Sequence, residues 1–244
     1  MNRPRNQTVK KDSRTLSIDI GGSHIKSTIL SPTGEMLISY EKTPTPMPST
    51  PENMLDAIQK LVSTFPEFDQ VSVGFPGFVK NGTVMTAPNL GNEAWQKFHL
   101  QRAISTALGK PAQVVNDADM QGLGVVAGKG LEMVVTLGTG FGTALLFNGE
   151  LLPHFEIAHH PVKDGKDYDE YIGDAALEAK GEKDWNRRMK KVLKIIKTVF
   201  NYDHLYIGGG NARKLDFKLP KNITLVSNRD GIKGGARLWH KINA

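Results

Sequence analysis

Two periods of hydrophobic spacing run through this chain, and the switches between them mark its elements. Short apolar runs predict strands at residues 15–20 and 27–30, with Pro32-Thr33-Gly34 turning the chain into a third strand at 35–40. Residues 43–51 are proline-rich and predict a loop. A helix then opens with Thr50 as N-cap and Pro51 at its first position. Its apolar residues Met54, Leu55, Ile58, Leu61, Val62 and Phe65 recur at helical spacing. A buried strand is predicted at 71–75, ending in Pro76-Gly77, and a second helix at 98–108, stopped by Gly109.

The second half repeats the logic. A strand at 113–115 leads into Asn116-Asp117 and a glycine-containing helix, and strands at 132–137 and 143–147 flank Gly138-Thr139-Gly140. Asn148-Gly149 has hairpin-turn chemistry. Helices are expected at 168–180 and 182–201, the second with Trp185, Met189, Val192, Leu193, Ile196, Val199 and Phe200 on its apolar face. Strands at 204–207 and 223–226 and a closing helix at 232–241 complete the pattern. The expected fold class is α/β, with two lobes and a cleft between them. Residues 15–115 form the N-terminal lobe, completed by the C-terminal helix at 232–244, and 116–231 form the C-terminal lobe. Residues 1–14 are basic and polar without an apolar core, which predicts a disordered tail and no secretory leader.

Composition narrows the partners. The 244 residues are 39% hydrophobic and 23% charged, enough for one large core or two modest ones. No apolar run reaches the ~18 residues of a membrane span, so no membrane partner is expected. The absence of cysteine excludes disulfides and cysteine-ligated zinc or iron–sulfur sites, and a cytoplasmic home fits best. A net charge of +6 calls for an anionic partner. No nucleic-acid reading motif is visible, so a polyanionic substrate is the expectation and nucleic acid is not.

Three glycine-rich turns each follow an apolar run: Gly21-Gly22-Ser23, Gly138-Thr139-Gly140 and Gly208-Gly209-Gly210-Asn211. Successive amides in such turns form nests for oxyanions, and Lys26 and the Thr139 hydroxyl add donors to the first two. Gly138 to Gly142 has dinucleotide-fingerprint spacing, but the residues after it are β-like and such a fingerprint must open a helix. Asp19 is an acid inside an apolar strand, costly to bury unpaired and sensible if it faces Mg2+, directly or through water. Asn116-Asp117-Ala118-Asp119 follows a strand end: Asp117 is the expected base for an attacking hydroxyl and Asn116 a sugar ligand. Asp119 rivals Asp117 for that role, and plain helix capping is the alternative for the whole segment. Glu156 and His159, flanking Ile157-Ala158, are expected to hold sugar hydroxyls. With His160 they resemble a metal site but lack a third ligand at helical spacing. On the helix at 182–201, Arg187, Lys190, Lys191, Lys194 and Lys197 oppose the apolar stripe, with no acid after Asp184. They are either a solvated face favoured by the helix dipole or a track for a long phosphate chain.

Taken together these segments resemble the ROK family of sugar kinases, and within it the branch that uses polyphosphate. Residues 18–26 are similar to its first phosphate loop and 206–212 to its second nucleotide-contacting turn. Gly74-Phe75-Pro76-Gly77, Ala87-Pro88-Asn89-Leu90, Asn116-Asp117-Ala118-Asp119 and the segment 156–161 are similar to its sugar-site segments. The resemblance implies a two-lobed actin/hexokinase-type (ribonuclease H-like) fold with the active site in the interlobe cleft. It implies transfer of phosphate from polyphosphate, with ATP as a further donor, to the 6-hydroxyl of glucose or a related hexose. Gly77, Asn89, Asn116, Asp117, Glu156 and His159 would contact the sugar, with Asp117 as base, and a homodimer is the family's usual state. The alternatives are an ATP-only hexose kinase and a non-catalytic sugar-binding protein. The latter is disfavoured because about fourteen residues precede the first strand, where the family's repressors carry a DNA-binding domain.

Three departures bear on these expectations. The family's cysteine-rich zinc motif is missing, as in the polyphosphate branch, so no zinc is expected. Ala158 stands where the family has glycine, and alanine reaches left-handed conformations only at a cost. Asp169 stands where the family has a sugar-contacting glutamate one methylene longer, with Glu170 as a possible substitute.

Overall fold

Strand pairing turns these segments into two sheets of matching plan in the computed structural model, which describes residues 13–240. The described residues divide into two compact units, one running to Met120 and resuming at Ile232, the other spanning Gln121–Gly231. In the first, β1 (Thr15–Ile20) pairs antiparallel with β2 (His24–Leu30), and β2 with β3 (Glu41–Pro44). Helix α1 (Pro51–Val62), capped by Thr50 as expected, leads to β4 (Gln70–Phe75), which runs parallel to β1. A small hairpin, β5 (Val79–Lys80) and β6 (Thr83–Val84), precedes α2 (Asn92–Trp95) and α3 (Leu100–Leu108). Strand β7 (Ala112–Asn116), parallel to β4, completes the order β3-β2-β1-β4-β7 and feeds α4 (Asp117–Val125). Ile18, Ile20, Val71, Val73 and Phe75 pack with Met54, Ile58 and Trp95 in this core.

The second sheet has the order β10-β9-β8-β13-β14. Here β8 (Leu131–Leu137) and β9 (Phe141–Phe147) are antiparallel, and β10 (Glu150–Leu151) extends them. A hairpin of β11 (Pro161–Lys163) and β12 (Lys166–Asp167) precedes α5 (Tyr168–Ile172) and α6 (Asp174–Phe200). Then β13 (His204–Gly208) and β14 (Ile223–Leu225) join in parallel. Trp185, Met189, Val192 and Ile196 of α6 pack on Met133, Val135 and Leu205. After α7 (Asn228–Ile232), the chain returns to the first sheet with α8 (Gly234–Arg237), which packs on β1 and β4. Ser17 and Ser72, buried on β1 and β4, donate to the carbonyls of Ile232 (2.7 Å) and Gly235 (2.6 Å). Trp239 Nε1 in turn donates to Ser72 Oγ at 2.8 Å.

The structure differs from the sequence expectations at four places. The third strand lies at 41–44, not 35–40: the turn after Leu30 closes on itself through Ser31 and Glu35, leaving only a bridge between Leu30 and Met36. Pro44 is tolerated there because β3 is an edge strand, where a missing N–H is not needed. The helix expected at 168–180 breaks at Gly173, whose extended backbone separates α5 from α6, and α6 itself carries a non-helical residue at Gly181. The closing helix is two short helices, and Lys241 lies outside the described residues. Of the expected tail, residues 1–12 lie outside the described residues; Ser13 is buried, and the Arg14 N–H donates to the Asp69 carboxylate while the Asp69 N–H donates back to the Arg14 carbonyl, so both belong to the fold.

Candidate active site

The expected site residues fall into both units. In the first unit they gather at the C-terminal ends of β1, β4 and β7. Asp19 does not stand unpaired: it lies opposite Lys26 in the β1–β2 register and meets Lys26 Nζ at 3.0 Å. The two side chains retain partial exposure, 28% for Asp19 and 30% for Lys26. The turn between them is pinned by Gly21 N–H to the His24 carbonyl (3.0 Å) and by Thr45, whose hydroxyl donates to the Gly21 carbonyl at 2.6 Å. Gly22 and Ser23 are exposed, and a Cβ on Gly22 would sit 3.6 Å from that of Asn89, so Asn89 borders this turn.

Asn116 is buried and its amide is committed within the protein. Its Nδ2 donates to the Gly77 carbonyl (3.1 Å) and its Oδ1 accepts from Ala118 N–H (2.8 Å). It therefore fixes the Pro76-Gly77 turn and caps α4, using part of the capacity expected for a sugar. Gly77 is required by close approach, since a Cβ there would lie 2.1 Å from the Thr86 carbonyl oxygen. Asp117 also accepts from Ala118 N–H (2.8 Å) and is half-buried, whereas its rival Asp119 is buried. Helix capping thus leaves Asp117, the expected base, partly exposed at the strand end.

In the second unit two glycine turns meet. Gly138 N–H donates to the Gly140 carbonyl (3.1 Å), and the carbonyls of Gly138 and Thr139 both accept from Asp174 N–H, the first residue of α6. Asn211 N–H donates to Leu137 at 3.0 Å, and its buried side chain bonds the Asp174 carboxylate. Asp174 therefore joins the turns at 138–140 and 208–211, a role that nothing in its local pattern signals beyond its place after a glycine. Gly209 takes φ +87°, and a Cβ there would come 2.2 Å from the Leu137 carbonyl oxygen. The amides of exposed Thr139 and Gly210 lie beside this junction.

Glu156, His159 and Asp169 are also brought together. His159 Nδ1 lies 3.3 Å from Asp167, and Asp169 accepts from Phe141 N–H at 2.6 Å, beside Gly140. Burial pushes the Asp169 carboxyl above the usual aspartate range; the Phe141 amide opposes this, Asp167 repels, His159 attracts and Glu156 repels. His154, a residue the sequence did not single out, places Nε2 3.5 Å from Glu156. Ala158 sits buried in a single 3-10 turn, Ile157–His159, with no left-handed backbone, so glycine is not needed there. Glu170, the alternative to Asp169, is engaged in a capping box with Asp167 at the start of α5. Among the described residues no group of three or more His, Asp or Glu side chains is arranged to hold a metal ion, and no helix is long and apolar enough to cross a membrane.

The ROK family model matches residues 15–162. Polyphosphate glucokinase of Mycobacterium tuberculosis (strain ATCC 25177 / H37Ra) is 35% identical over 239 residues, covering 90% of this chain and 88% of that protein. The crystal structure of an inorganic polyphosphate/ATP-glucomannokinase from Arthrobacter sp. strain KM superposes with a TM-score of 0.83 at 31% identity, covering 93% of this chain and 98% of that one. A ROK family glucokinase from Streptomyces griseus, solved with glucose and AMPPNP, shares the fold at a TM-score of 0.73 and 19% identity, covering 92% and 98%.

Proposed function

The chain belongs to the ROK family of two-lobed sugar kinases, and on that footing we propose that it phosphorylates the 6-hydroxyl of glucose or a related hexose. Inorganic polyphosphate is the donor, and ATP a second one. The observation that carries the reading is the likeness to polyphosphate glucokinase over nine-tenths of the chain. The site geometry supplies a mechanism consistent with it. Asp117 takes the proton of the sugar hydroxyl as its oxygen attacks the terminal phosphorus. The bond from that phosphorus to the bridging oxygen breaks, and the shortened polyphosphate leaves with the electron pair. Gly77, Asn89, Asn116, Glu156, His159 and Asp169 orient the sugar. The turns at Gly21-Gly22-Ser23, Gly138-Thr139-Gly140 and Gly208-Gly209-Gly210-Asn211 offer amides to phosphate oxygens, with Lys26 as a point charge.

Asp19 fits a magnesium ion in one respect: a single, partly exposed carboxylate beside a phosphate turn suits an ion held mainly by donor phosphates and water. Asp19 would hold it directly or through water, and a bound ion would neutralise charge on the transferred group. No zinc takes part in this reading. It also includes a homodimer, as the family resemblance implies, and a cytoplasmic home without nucleic-acid or membrane partners, as the composition suggests. The test is glucose-6-phosphate formation with polyphosphate and ATP supplied separately, each with Mg2+ and with EDTA. Product from polyphosphate only when Mg2+ is present is the expected result. Product from ATP alone would remove the polyphosphate reading, and none from either donor would leave a sugar-binding protein.

A further inference from the structure

The cations of α6 do not form one uniform stripe. Arg187 pairs with Asp184 at 3.1 Å, Lys191 lies over the Tyr171 ring, and Lys197 caps the helix end by donating to the Tyr202 carbonyl. Lys190 and Lys194, one turn apart and exposed, pair with no carboxylate among the described residues. A second basic segment lies beside them. The chain leaves the turn at 208–211 through Arg213 and Lys214, and buried Asn186 of α6 fastens it: Nδ2 donates to the Lys214 carbonyl (2.9 Å) and Oδ1 accepts from Asp216 N–H (3.0 Å). Lys190 Nζ then lies 4.9 Å from the Phe217 ring centre, next to exposed Lys218.

We infer that Arg213, Lys214, Lys218, Lys190 and Lys194 form a ribbon that carries the distal part of a long polyphosphate chain away from the turn at Gly208-Gly209-Gly210. The inference rests on the polyphosphate reading above. Asp216 is the one acid within the fastened segment, and its amide is already held by Asn186. A linear polyanion needs only closely spaced cations, because its binding is driven by counterion release. Single-stranded nucleic acid would also need exposed aromatic faces for its bases. Here the neighbouring rings are covered by the protein's own cations, Phe217 by Lys190 and Tyr171 by Arg188. The ribbon therefore fits polyphosphate better.

The test uses the full chain with Lys190→Glu/Lys194→Glu, and Lys60→Glu/Lys110→Glu as a control of equal net charge away from the ribbon. End-labelled long-chain polyphosphate, tripolyphosphate and single-stranded DNA are the binding probes, alongside steady-state kinetics. The ribbon variant should bind the long chain roughly tenfold more weakly at low salt, with a salt slope lowered by about one unit per lysine. KM for long-chain polyphosphate should rise, while kcat and KM for glucose and tripolyphosphate stay unchanged. Equal weakening in the control, equal loss for tripolyphosphate, or DNA bound as tightly as polyphosphate would each overturn the ribbon. If the wild type makes no product from polyphosphate, the donor reading fails, and the binding measurements still decide the ribbon.

Discussion

The two units share one sheet plan and differ at matched positions on it. Asp19 of β1 faces Lys26 across the antiparallel pair and Gly74 across the parallel one; Thr136 of β8 faces Gly142 and Gly208 in the same way. The strand ends correspond in turn, Val115-Asn116-Asp117 beyond β4 answering to Val226-Ser227-Asn228 beyond β13. Where the first unit carries an ion pair and an acid that can take a proton, the second carries threonine, glycine and uncharged polar residues. The scaffold is common, and the chemistry is set by what the strand ends present. In the proposed function, proton transfer and the ion belong to the first unit, while the second grips phosphate mainly through backbone.

That division is broken most directly at Asp117. Asp117→Asn keeps the shape and the bond from Ala118 N–H but cannot accept a proton. Turnover should fall ~10²–10⁴-fold, the usual cost of losing a general base, with glucose affinity nearly unchanged. Rates from purified protein, with glucose binding followed by calorimetry, decide it. Near wild-type turnover would move the base role to Asp119.

A pair of glycine substitutions sharpens the comparison at smaller effect. Gly209→Ala forces a Cβ against Leu137 in a left-handed conformation, and Gly77→Ala forces one against Thr86. Backbone strain at Gly209 and steric overlap at Gly77 each cost about 1–3 kcal/mol, with a fall in Tm of about 2–4 °C per kcal/mol in a chain of this size. The kinetic signatures should part: Gly77→Ala raises KM for the sugar, Gly209→Ala raises KM for the donor. The reverse assignment, read from KM for each substrate, would refute the division of labour.

The fold was readable wherever spacing carried it. Thr50-Pro51, the stripe from Met54 to Val62 and the stripe from Trp185 to Ile196 predicted their helices because burial there follows helical periodicity. Residues 35–44 misled, since a hydrogen-bonded turn outweighed local apolar content and proline is harmless at an edge. The break at Gly173 was hidden because glycine is tolerated in helices; a Cβ there would meet the Thr139 carbonyl at 2.6 Å, a long-range contact that no local pattern encodes. Candidate site residues were legible as types at strand ends. Their partners were not: Lys26 for Asp19, Gly77 for Asn116, Asp174 for Asn211 and His154 for Glu156 depend on tertiary neighbours.

The smallest effect compares one carboxylate from each unit. Asp19 has a lysine at 3.0 Å, whereas Asp169 is desolvated among Asp167 and Glu156, with the Phe141 amide and His159 as partial relief. Its carboxyl titrates above the ordinary value of 3.8. Between that value and the raised one, the native state holds a proton that the unfolded chain has released. Stability therefore falls as pH rises through this window, and above it the ionised group carries its full cost. Asp169→Asn removes the charge and can still accept from Phe141 N–H. It should raise Tm near pH 7, and the gain over wild type should shrink as pH falls through the window. Thermal melts of both proteins across that range measure it. A gain that stays constant with pH would show that ionisation of Asp169 is not its source. In the proposed function the same variant should bind sugar more weakly, because the ionised carboxylate would accept from the sugar hydroxyls.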